Sequence, residues 1–403
     1  MVLDETRQQT WTNWSGSIRF TPQRIEVPHD EEALSRLMKL AAAENRVIRA
    51  VGSSHSCSPI FQTSDVLLSM ENFKGLHAYD PQKGTATVGA GMTVEEVGKA
   101  LQKVGLGMEN TGHIDQQALA GAISTGTHGA GKKLPNLSGQ VVGVRLLNAQ
   151  GEAEEYTLEK DPAMMRALRV SLGSLGIFTQ ITLKVLPAYQ LHRQQYCASV
   201  DDCLEHLEWL MEYNRNFCFY WYPRRDDVSL RLWNLPGEGT QKLPFPATLY
   251  KEETGWGKDV LPSVQELRFN ELEYSVDASV AVACFQEIRR RILEKHRSKV
   301  AWRVLFRPVA ADDVYLSNAY GRSTVAITIH QNATLPYEEY FYDIEPLFQA
   351  YDGRPHWAKK HSMTASGLKH RYPEWARFQE TRNRLDPQGL FLNKYLQNVL
   401  IEP

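Results

Sequence analysis

A short β-favouring run, Val47-Ile48-Arg49-Ala50-Val51, stops abruptly at Gly52-Ser53-Ser54-His55-Ser56, and this junction constrains the chain more than any other stretch. The small and polar residues after Val51 end the strand and leave backbone N–H groups with no ladder to join. Upstream, residues 30–46 carry Leu34, Leu37, Met38 and Ala41 at helical spacing behind Asp30, Glu31 and Glu32, whose charge suits a helix N-terminus. Helix, strand and small-residue loop in that order mark an α/β beginning. The loop is a candidate anion nest, since its N–H groups can be approached closely by a phosphate. Read alone, the pentapeptide fits a plain surface turn with an incidental histidine better.

The pattern continues with strands expected at 66–70, 76–80 and 85–89 and a helix from Val94 to Gln102. A long glycine-rich region spans 105–131. A hairpin is expected from Val141–Leu147 through Asn148-Ala149-Gln150-Gly151 to a strand near 154–158. A helix follows at Ala163–Val170, a break at Ser171–Gly176, and a strand from Ile177 towards Pro187. Beyond Pro187 the expected order is a helix at about 200–214, strands at 218–222 and 228–233, and a polar Pro/Gly-rich connection over 234–262. A helix at 281–296, strands at 302–309 and 323–332, and helices near 337–349 and 373–385 complete it. At 403 residues the chain exceeds what one core holds, so two domains are expected: 12–187, and an α+β cap over 188–403 whose last segment returns to the first.

Composition narrows the class. A formal net charge of -2 gives no reason to expect nucleic acid or an anionic membrane as partner. Cys57, Cys197, Cys203, Cys218 and Cys284 are scattered, with no C-x-x-C pair and no histidines at metal-ligand spacing, so no metal is expected and reduced thiols fit best. The start, Met1 to Arg7, lacks an apolar leader, and no stretch approaches the ~20 apolar residues of a membrane span. A cytoplasmic protein is the expectation.

A second small-residue segment, Gly121-Ala122-Ile123-Ser124-Thr125-Gly126-Thr127-His128-Gly129-Ala130-Gly131, supplies hydroxyls and N–H groups. Its glycines do not keep the G-x-G-x-x-G order of a dinucleotide fingerprint, and a long structural loop explains it equally well. Together with Thr12–Gly16, Ser171–Ile177, Ala310–Asp313, Pro355-His356-Trp357-Ala358-Lys359 and Leu385–Asn393, however, the chain resembles the vanillyl-alcohol-oxidase type of FAD-binding fold. Within it, the resemblance is to the sugar-1,4-lactone and alditol oxidases. It runs nearly end to end, and His-Trp-Ala-Lys and the histidine of the first loop are its most diagnostic parts.

The resemblance implies a two-domain α+β flavoprotein. Arg49, Ala50, Val51, Gly52, Ser53, Ser54, His55 and Ser56 would hold FAD, together with Gly112, His113, Ala118, Gly121, Ser124, Thr125, Gly126, Thr127, His128, Gly176 and Ile177. His55 falls where many members carry the histidine joined covalently to the flavin. Lys359 matches the family's active-site lysine and Arg307 the arginine of a Glu-x-Arg element. Here that element reads Leu305-Phe306-Arg307, so its glutamate is missing. His330 is the candidate replacement, and strand alternation puts Thr328, His330 and Asn332 on one face as substrate contacts; His356 joins them. Gly112 stands where an alanine hinders oxygen access in some relatives.

The implied activity is oxidation of an aldono-1,4-lactone by hydride transfer to FAD, with electrons passed to O2 or another acceptor. Alditol oxidation is the nearest alternative, and a flavin-binding protein without catalysis stands as the alternative of another class. An NAD(P)H-dependent reductase is disfavoured by the C-terminal motifs.

Overall fold

The computed structural model describes residues 9–239, 242–262 and 267–402; the stretch Met1 to Arg7, read above as lacking a leader, lies outside them. Two sheets build the first half. Strand Ile48–Val51 and strand Arg24–Glu26 flank Val66–Ser69 in a parallel trio. Helix Glu31–Ala43, capped by the Asp30 carboxylate on the Ala33 N–H, packs Leu34, Met38 and Ala41 against it. The second sheet is antiparallel, with strand Ile177–Lys184 central between Val141–Leu147 and Thr85–Gly89. The expected hairpin forms, with Ala153–Thr157 on the outer edge.

In the second half an eight-stranded sheet runs in the order Ala247–Trp256, Gln190–Ser199, Asp227–Asn234, Asn216–Tyr222, Val304–Val309, Thr324–Asn332, Phe269–Asp277, Arg354–Pro355. One face packs on helices Ala281–Arg291 and Glu338–Ala350 around Phe219, Phe285, Phe306 and Phe348. The other face turns towards the first half.

Several expectations need correction. Residues 234–262 are not merely a connection: they hold the ten-residue edge strand Ala247–Trp256 and the helix Gly257–Val260. The strand is mostly exposed and carries Lys251, Glu252 and Glu253, the last two paired with His192 and Arg193 of its neighbour; edge strands use charge to refuse further pairing, so apolar alternation is absent. Strand Gln190–Ser199 has a largely polar sequence, and Phe269–Asp277 is buried along its length while carrying Glu271 and Glu273; neither gives a clean period of two. The helix at 200–214 is two, Val200–Glu205 and Leu207–Tyr213, and the glycine-rich region contains helix Leu119–Ser124.

The C-terminal segment completes the core of the first half: Tyr372, Phe378, Leu385, Leu396 and Val399 lie in one apolar cluster with Val97, Leu119 and Ile181. Arg49 joins the pieces. Its buried guanidinium donates to the carbonyls of Ile60, Leu172, Gly173 and Phe391 at 2.6–2.9 Å, so four carbonyls from three separated segments share one cation. Replacing it with methionine keeps the stem but strands those acceptors. Arg49→Met should lower unfolding stability by about 3 kcal/mol, read as a shift in urea midpoint.

Candidate active site

Two adjoining cavities share Gln117, one within the first half and one between the two halves. The larger, an open cleft of about 1410 Å³, is lined by Arg49 to Ser56, Ala118, Gly121, Ser124, Thr125, Gly176 and Ile177, so most of the residues assigned to the cofactor meet in one place. The backbone N–H groups of Ser53, Ser54, His55 and Ser56 have no partner among the described residues. A Cβ at Gly121 would meet nothing within 4 Å, so the wall there is open. His55 Nδ1 is buried without a partner, and its ring lies against Trp14 with centroids 5.3 Å apart. A cleft with free donors and one orphaned imidazole nitrogen fits a dinucleotide. Arg49 contributes backbone only, because its guanidinium is engaged as described.

The loop is pinned by the distant His-Trp-Ala-Lys segment. Cys57 N–H donates to the Ala358 carbonyl at 2.7 Å and Ser58 Oγ to the Trp357 carbonyl at 2.7 Å. The same segment runs beside Phe269–Asp277, with His356 N–H on the Glu273 carbonyl and Lys360 N–H on that of Glu271, both at 2.9 Å. Lys359, between them, is thereby aimed into the second cavity.

This chamber, about 550 Å³, is lined by Gly112, His113, Thr127, His128, Tyr220, Glu271, Arg303, Leu305, Arg307, His330, His356 and Lys359, with three further residues. Much of one wall is the free face of the cap sheet. Register places Tyr220, Leu305, Thr328 and Glu273 in one row across four strands, and His330 opposite Glu271 in the next. Sequence reasoning missed Glu271 and Glu273; the signal was present as Glu-x-Glu in a run bounded by Phe269 and Tyr274, which charge disguised as loop.

Each carboxylate has its cation. Glu271 is ion-paired with Lys359. Burial opposes its charge, but the adjacent Lys359 ammonium holds its carboxyl below the ordinary range. Glu273 accepts Arg307 Nη2 at 2.5 Å, Thr328 Oγ1 at 2.5 Å and His128 Nε2 at 3.0 Å. Against burial, Arg307 and His128 hold it well below the usual carboxylate range. His128 Nδ1 lies 2.9 Å from the Gly129 carbonyl, so both its nitrogens face oxygens. His128, Glu273 and His356 bring ligand-type atoms within 4.8 Å of one another, but Arg307 already occupies the same carboxylate.

The remaining imidazoles are neutral. Burial lowers His330 to about 4, His356 to about 3 and His55 to about 4, the last helped by Lys359. His330 Nδ1 faces the Arg303 carbonyl at 2.9 Å. A carbonyl only accepts, so Nδ1 carries the proton and Nε2 is the bare, basic nitrogen. Two expected substrate contacts fall away. Thr328 is spent on Glu273 and does not line the chamber, and Asn332 lies at the strand end, where Oδ1 accepts from the N–H and hydroxyl of Thr334. Gly126 lines neither cavity; it sits at φ 74° in the turn after helix Leu119–Ser124.

Comparison with known proteins fits this geometry. The chain is 33% identical to an L-gulono-1,4-lactone dehydrogenase of Mycobacterium tuberculosis over 97% of its own length and 99% of the relative's. It belongs to the FAD-dependent sugar-1,4-lactone oxidoreductases. The L-gulonolactone oxidase of Mus musculus is 26% identical, covering 96% of this chain and 97% of the relative. The profile described as D-arabinono-1,4-lactone oxidase matches residues 238–399 and that of an FAD binding domain residues 22–157. The cholesterol oxidase of B. sterolicum shares the fold, with a TM-score of 0.84 at 18% identity over 98% of this chain and 97% of that one. This member of the lactone oxidoreductases is thus a flavoenzyme with the two-domain FAD-binding architecture.

Because the folded pKa of Glu273 is depressed, its contribution to stability is full above the unfolded value near 4.5 and is lost as pH falls through the folded value. The stability gap between wild type and Glu273→Gln, measured by thermal melts, should therefore hold from pH 8 to about 5 and close in acid. At neutral pH it should be about 3 kcal/mol, since the substitution leaves the buried Arg307 guanidinium without its counter-ion.

Proposed function

We propose that the protein oxidises a secondary alcohol of an aldono-1,4-lactone, using FAD bonded covalently to His55. The observation that carries this is the chamber itself. A bare imidazole nitrogen on His330, the Lys359–Glu271 pair and the Arg307 guanidinium converge on one cavity that adjoins the cofactor cleft. When bound, FAD accepts the hydride from the substrate carbon.

The protein's own groups do the rest. His330 Nε2 takes the hydroxyl proton as the C–H bond breaks. Lys359 and Arg307 supply positive charge in a site buried from water, where its effect is largest. Arg307 Nε has no hydrogen-bond partner among the described residues, so one donor remains for substrate or cofactor. His55 is neutral with its Nδ1 unused, the state in which an imidazole can form a bond to carbon. The five cysteines are unpaired, which supports a reducing, cytoplasmic setting, and no helix among the described residues is long and apolar enough to cross a membrane.

Anaerobic mixing with gulono-, galactono- and arabinono-1,4-lactones should bleach the flavin, while a polyol-only profile would overturn the lactone reading. Lys359→Met should slow that bleaching by roughly a hundredfold or more, the scale of losing one charge that stabilises the transition state. Acid precipitation should carry the yellow colour down with the wild type and leave it in the supernatant for His55→Ala. A Cβ at Gly112 would lie 3.1 Å from Thr127 Cγ2, crowding the chamber wall. On admission of oxygen, Gly112→Ala should reoxidise more slowly than wild type.

A further inference from the structure

The lost glutamate leaves a wall to be explained. Leu305 presents an aliphatic surface to the chamber, and its cross-strand partner is Tyr220, on the same sheet face. Tyr220 is buried, and its hydroxyl lies 3.1 Å from His113 Nδ1. Its ring has the guanidinium of Arg231 at 4.2 Å and that of Arg303 at 4.4 Å from the centroid. His113 in turn packs against Trp233, centroids 5.9 Å apart. The phenol is thus fixed in place with one free torsion, that of its O–H.

We infer that Tyr220 is the specificity-determining residue of this chamber: aligned by His113, its hydroxyl donates to the carbonyl or ring oxygen of a lactone, while Leu305 rejects polyols. The inference rests on the lactone reading above and sharpens it. Burial and the neighbouring Arg307 and Arg231 keep His113 neutral, so it has one N–H to share. With that N–H donated to the tyrosine oxygen, the tyrosine proton is left for the ligand, and a complete chain forms only if the ligand atom accepts. The oxygens of a lactone ring and carbonyl accept and bring no proton. An alditol hydroxyl at the same spot could accept as well, but its own hydrogen would face the methyl groups of Leu305, and a buried donor without a partner is costly. A carboxylate at position 305 would take that hydrogen. Leu305 therefore offers no acceptor for such a hydrogen, and the Tyr220 hydroxyl is left to recognise a carbonyl.

The test uses the flavin-loaded protein and two readouts. The first is equilibrium titration of the flavin spectrum with γ-butyrolactone, which has the carbonyl and ring oxygen but no hydroxyl to oxidise. The second is anaerobic flavin reduction by an aldono-1,4-lactone and by the alditol of the same carbon skeleton. Tyr220→Phe should weaken γ-butyrolactone and substrate-lactone binding about tenfold while the limiting reduction rate stays within about threefold, because the hydroxyl binds and does not react. Leu305→Glu, with Leu305→Gln as the uncharged second variant, should admit the alditol. Unchanged melting temperature and flavin content in Tyr220→Phe separate this from misfolding. Lactone binding within twofold of wild type in Tyr220→Phe would overturn the inference and leave the lactone reading intact, as would a fall in limiting rate at unchanged affinity. A wild type bleached by alditols and by no lactone would overturn both.

Discussion

One buried carboxylate organises the centre of this molecule. Glu273 takes hydrogen bonds from Arg307 and Thr328 on its own sheet and from His128 on the other half. An isolated charge at that depth is prohibitively costly, so it persists only with its partners in place. The three donors fix the cap strand, the adjoining strands and the glycine-rich segment relative to one another. The chamber inherits its shape from that requirement.

The same segments pin the other carboxylate. Strand Phe269–Asp277 is central enough to be buried along its length, and the His-Trp-Ala-Lys segment lies along it through backbone hydrogen bonds. That contact brings Lys359 onto Glu271 and, through the Ala358 carbonyl, brings the Ser53–Ser56 loop alongside. Cofactor cleft and chamber are therefore one construction. A change in backbone path at residues 356–360 would move the His55 loop and the active-site lysine together.

Much of this was legible in the sequence, and the parts that were not share a cause. Helix Glu31–Ala43 and strand Val141–Leu147 announce themselves because one face meets water or the apolar residues run on. The cofactor loops were ambiguous singly and became specific as a set, since small residues at 52–56 and 121–131 mean little until both line one cleft. Strands Gln190–Ser199, Ala247–Trp256 and Phe269–Asp277 escaped because their polar residues are paired with partners far along the chain. Glu271 looks like a solvated charge until Lys359 is beside it. Alternation put His330 and Asn332 on one face, yet only His330 lines the chamber: a shared face does not guarantee a shared cavity when the strand runs past its edge.

The staple at Arg49 has a consequence for how the protein comes into being. Its acceptors include the Phe391 carbonyl, and Asn393 donates to the carbonyls of Pro59, Ile60 and Gln62. The loop after strand Ile48–Val51 is thus secured by residues 331 to 342 positions later in the chain. Domains generally fold as they emerge from the ribosome, N-terminal first, yet this one lacks part of its core and these fastenings until residues 372–399 have been made. The nascent first half must wait with apolar surface exposed, and the cofactor cleft takes its final form only once that segment has docked.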